Sequence, residues 1–137
     1  MTVARTLRPS RTLEASAWAL VVLQVVHGLT PADTEAEGSV GAVGGLALLV
    51  AACAAVYGLR TGRPWGRVIT GWTGLVVAVG FVAYHVVPVH GPVTNPYVGE
   101  PVGAPAWISV TLAVGAGVWA AYEAFVRPAP AEETARA

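Results

Sequence analysis

The sequence predicts an all-α fold: a four-helix transmembrane bundle with its N- and C-termini cytoplasmic. Three observations predict it. Residues of the set AVILMFWYC form 55% of the 137 positions, only 12% are charged, and mean hydropathy is +0.61. A soluble domain carries about 25% charged residues to cover its surface, and disordered chains are poor in apolar residues. Four stretches approach the roughly 20 apolar residues that a helix needs to cross hydrocarbon. Finally, all eight basic residues are Arg, and they fall only in alternate segments between those stretches.

In chain order, residues 1–11 form an N-terminal segment carrying Arg5, Arg8 and Arg11. The first span, 12–29, follows. Basic flanks before an apolar run imitate a signal peptide, but His27, Gly28, Leu29, Thr30 and Pro31 do not make a small-x-small cleavage site, so a retained helix is expected. The second span, 38–59, is nearly all Ala, Gly, Val and Leu; the third covers 65–87 and the fourth 105–126. Residues 127–137 are a short polar tail, expected to lack structure. Arg60, Arg63 and Arg67 lie around the turn between the second and third spans, and Arg127 and Arg136 follow the fourth. With four spans these regions share one side, and the positive-inside rule makes it the cytoplasm. The other two loops hold no Arg; Asp33, Glu35, Glu37 and Glu100 solvate them.

Aromatic residues fit this placement, with Tyr57, Trp65 and Tyr122 at the inner interface and Tyr84, Tyr97 and Trp107 at the outer one. Trp18, Trp72 and Trp119 fall deeper, so their indole N–H groups are expected to find partners inside the bundle. Helices in lipid associate by close approach at small residues. Such positions are Gly41 and Gly45, Thr70, Gly74 and Ala78, and Ala113, Gly117 and Ala121. Glu14 and Glu123 stand three and four residues from Arg11 and Arg127, spacings that predict rim ion pairs. Cys53 is expected to be a small packing residue.

All three histidines fall toward the outer side. His27 and His85 lie about one turn inside their span ends, and His90 follows in the loop. Gln24 shares a helix face with His27. Ionisable groups in spans face the bundle interior or a wet cavity, which suggests a pocket of Gln24, His27, Tyr84 and His85 capped by His90 or Glu100. Its chemistry stays open among zinc or copper on imidazoles, haem between two imidazoles, acid–base work, and plain interfacial hydrogen bonding. The connection over it has five prolines in eighteen residues, 88–105, and reads as stiff and extended, a lid or a mere connector. Pro88 frees the carbonyl of Tyr84 for water or a side chain.

Zero net charge provides no field for nucleic acid, one Cys excludes disulfide and Cys-based zinc frameworks, and no P-loop, G-x-S-x-G, H-E-x-x-H or C-x-x-C pattern occurs. The run Gly-Leu-Arg-Thr-Gly-Arg-Pro-Trp-Gly-Arg at 58–67, followed by Phe-Val-Ala-Tyr-His-Val-Val-Pro at 81–88, resembles small four-span membrane proteins of high-GC Gram-positive bacteria. Those proteins are themselves largely uncharacterised, so the resemblance implies an inner-membrane four-helix fold and no activity. The expected role is a noncatalytic subunit or partner-binding component of a larger plasma-membrane assembly, or a homo-oligomer. The alternative is a metal- or haem-binding membrane protein using His27, His85 and His90; a small transporter is third.

Overall fold

A computed structural model of the chain describes residues 10–30, 39–89, 91 and 94–127. Four helices carry it: α1 (Arg11–Leu29), α2 (Ser39–Arg60), α3 (Pro64–Phe81) and α4 (Ala104–Phe125), with one π-helical turn (Val82–Val86) continuing α3. All four helical segments are long and apolar enough to cross a membrane, and each lies within a few residues of the span its hydropathy predicts. Among the described residues the only β feature is an isolated bridge between Gly91 and Thr94. The predicted N-terminal segment (save residues 10 and 11), the acidic loop with Asp33, Glu35 and Glu37, His90, and the tail after Arg127 lie outside the described residues.

Local chemistry sets the helix ends. Ser10 caps α1 by accepting a hydrogen bond from the Leu13 amide at 3.2 Å, satisfying one of the first-turn N–H groups. At the end of α2, the Gly62 and Arg63 amides bond back to the carbonyls of Leu59 and Gly58. This double closure requires the left-handed conformation that Gly62 adopts at φ +67°. Pro64 then opens α3, where its missing N–H costs nothing.

The helices form a ring in which α1 packs against α2 and α4, and α3 against the same two, with α1 and α3 meeting only across the diagonal. The contact between α3 and α4 is the most extensive: a Cβ on Gly74 would lie 2.6 Å from the Gly117 carbonyl oxygen, and a Cβ on Gly117 equally near the Gly74 oxygen. Ala113 is buried in the same core, and the backbone of Ala121 lies against Gly74. Gly41 sits beneath the Tyr84 hydroxyl, whereas Gly45 meets nothing within 4 Å, so its expected packing role is not found. Gly58 and Gly66 instead supply an approach that the small-residue spacing did not mark; a Cβ on Gly66 would sit 2.5 Å from the Leu59 nitrogen.

Small and hydroxylated residues line much of the interior beside Leu13, Leu20, Val77 and Val110. Ser16, Ala17, Ala52, Ala55, Thr70 and Ala120 are fully buried, while Val22, Val43, Leu46, Val50, Trp72, Ile108 and Val118 are exposed. Small residues at helix contacts and Val or Leu on the outer faces are what a lipid solvent selects, because lipid-facing Val and Leu lose nothing and close helix contact needs small side chains.

Five arginines gather at one end of the ring. Glu14 pairs with Arg60 of α2 at 3.1 Å, not with Arg11 as its spacing suggested, since the neighbouring helix terminus brings Arg60 to it. Glu123 does pair with Arg127, at 2.8 Å, yet it is buried and not a rim charge; it also accepts from Thr12 at 2.7 Å and Trp119 at 3.4 Å. Arg67 donates to the carbonyls of Ala124 and Arg127 at the end of α4, where backbone acceptors lack helical partners. The Trp expectation holds only for Trp119: Trp18 and Trp72 are exposed, against the Arg60 guanidinium and the Phe125 ring respectively. Cys53 is also exposed.

Candidate functional site at the histidine end

At the opposite end, α1 and α3 bring two imidazoles into contact. The His27 and His85 ring centroids are 5.1 Å apart with their planes at 70°, and Phe81 lies against both. His27 reaches this position because the α1 face that buries Leu13, Ala17, Leu20 and Gln24 continues through it. His85 reaches it through the π turn, whose wider winding ends in a bond from the Val87 amide to the Val82 carbonyl. Such turns recur at functional sites. His85 is buried, His27 and Tyr84 are half-buried, and the Tyr84 ring stands 4.8 Å from that of His85.

Within the connection, residues 94–103 fold back against this cluster and are not merely extended. The carbonyl that Pro88 frees on Tyr84 accepts from the Asn95 amide at 3.0 Å, so a backbone donor takes the place expected of water or a side chain. Next to it, the His85 carbonyl accepts from the Tyr97 amide at 2.7 Å, and the Asn95 carbonyl accepts from His85 Nδ1 at 3.2 Å. Tyr97 is thereby buried, its ring 4.3 Å from His85 and 5.6 Å from Trp107. Burial and the neighbouring Tyr84 phenol raise the Tyr97 hydroxyl above the ordinary tyrosine value.

His27 Nδ1 lies 3.1 Å from Ser109 Oγ, and that hydroxyl gives its one proton to the Ala106 carbonyl at 2.8 Å. His27 therefore donates through Nδ1, as His85 must toward a carbonyl. Both neutral rings then carry their lone pair on Nε2. One turn deeper, Gln24 is buried and, among the described residues, its Nε2 finds no hydrogen-bond partner. No known protein family, curated protein or solved structure matches this chain.

Of the expected site residues, the structure joins His27, His85 and Tyr84 in one cluster, with Gln24 a turn away on the same helix face. Glu100 is exposed on the loop beyond Tyr97. Among the described residues, no three His, Cys, Asp or Glu side chains assemble into a metal-binding group. Haem held between the two imidazoles does not fit this arrangement, because the rings touch directly and leave no gap for a macrocycle. Asn95 and Ser109 complete the site without having been singled out in the sequence, and Tyr97, expected only as an outer-interface aromatic, joins them. The signal for Ser109 is a hydroxyl one turn into an apolar span; for Asn95 and Tyr97 it is a free carbonyl four residues before Pro88, which needs a donor.

A transporter needs a polar route between the two ends. The buried hydroxyls of Ser16 and Thr70 bond to carbonyls of their own helices, at Leu13 and Gly66. Leu20, Val77 and Val110, each nearly inaccessible, form the core that runs from the middle of the bundle to Phe81.

Proposed function

We propose that this chain is a small multi-pass protein of a bacterial plasma membrane, with both termini cytoplasmic, and that it serves as a noncatalytic, partner-binding subunit of a larger membrane assembly. The observation that carries this reading is the fastened segment 94–103. Three hydrogen bonds and the buried Tyr97 ring hold it against the bundle, while Val89, Val98, Glu100 and Pro101 face outward. A preformed apolar and proline-rich surface loses little entropy when a second protein covers it. The gathering of Arg11, Arg60, Arg63, Arg67 and Arg127 at the far end supports the orientation.

Purification in mild detergent tests the reading. The expected outcome is a complex of fixed stoichiometry with a larger membrane protein, lost in Val98→Asp while the isolated bundle stays folded. A wild-type chain that elutes alone in the same detergent overturns it.

A further inference from the structure

We propose that His27 and His85 form a site for one divalent transition-metal ion of the class that favours imidazole nitrogen, zinc(II) or copper(II). The inference does not depend on the partner reading; it rests on the interior of the histidine end. Imidazoles that ligate metals through one nitrogen hold the other N–H on a fixed oxygen, which sets the tautomer and aims the lone pair. Both rings have this arrangement, His85 on the Asn95 carbonyl and His27 on Ser109 Oγ. Among the described residues no hydrogen bond reaches either Nε2.

The separation fits as well. Two imidazoles bonded at about 2.0–2.1 Å to one tetrahedral ion carry ring centroids about 5 Å apart, and these stand at 5.1 Å. Two nitrogen ligands leave the remaining coordination positions to water. A hydroxide on the metal would supply an acceptor of the kind that the buried Gln24 amide lacks among the described residues. His27, half-buried near the end of α1, provides the way in.

The test uses the full chain in detergent, stripped with a chelator and titrated with zinc(II) alone or copper(II) alone. The expected results are one ion per chain, at least two imidazole nitrogens in the copper spectrum, and protection of both histidines from diethylpyrocarbonate by bound zinc. Ser109→Ala, which leaves both ligands in place, is expected to weaken zinc binding about 10–100-fold. His27→Ala and His85→Ala are expected to abolish it. Should either ligand variant fail to fold, the protection experiment on the wild-type chain decides. No stoichiometric binding, a copper spectrum without nitrogen coupling, or unchanged modification of His27 and His85 in zinc overturns the proposal.

Discussion

At the scale of single residues, Gly74 and Gly117 set how closely α3 and α4 approach. Each presents its backbone to the other's carbonyl oxygen, so a side chain on either must push two helices apart. Gly74→Leu is expected to destabilise the bundle by about 1–3 kcal/mol, the usual cost of overpacking a tight core. Gly45→Leu, with open space around it, is expected to be near neutral. Reversible unfolding in mixed detergent micelles measures both. The pair of outcomes separates two residues that look identical in sequence, since both lie in small-x-x-x-small runs. Spacing identifies which residues share a helix face but not which way that face turns, so Gly117 and Ala113 were legible and the idleness of Gly45 was not. His27 and Gln24 were legible because i, i+3 spacing is enough to place them together.

Among the elements, the connection 88–103 shows most clearly where sequence reading ends. Its prolines exclude a helix, and they reveal a bare carbonyl on Tyr84. The path that returns Asn95 and Tyr97 to that carbonyl and its neighbour is a tertiary event with no periodic signature. The docked position has a testable pH dependence. Tyr97 is neutral in the folded protein and its hydroxyl is raised above the ordinary value of about 10 by burial and by Tyr84. A group with a raised folded value contributes stability that is fully present below the unfolded value and is lost as pH climbs through the folded one. Thermal stability in detergent is thus expected to hold up to about pH 10 and to fall above it. Tyr97→Phe, which cannot ionise, is expected to lessen that alkaline loss. An identical decline in both proteins would show that Tyr97 stays outside the transition.

For the whole molecule, the helices and their extents were readable because hydrocarbon thickness imposes a length and lipid imposes a composition. Sidedness is the property that ties the two ends to their compartments. All the described arginines occupy one end, and both histidines of the candidate site occupy the other. Single cysteines placed at Thr61 and at Gly99 in a Cys53→Ser background are expected to differ in intact cells. Gly99→Cys reacts with a membrane-impermeant maleimide, and Thr61→Cys reacts only after lysis. Labelling in the opposite order would invert the assignment of both ends.

The bonds from Asn95 and Tyr97 to the last carbonyls of the third helix also constrain biosynthesis. A nascent polypeptide halted after Pro88 would hold two unsatisfied acceptors at the histidine end, and nothing made up to that point supplies the backbone amides that satisfy them in the finished protein. Closure of that end therefore waits on the ribosome's delivery of the next segment, and chains truncated before Asn95 should be the ones that quality-control proteases remove.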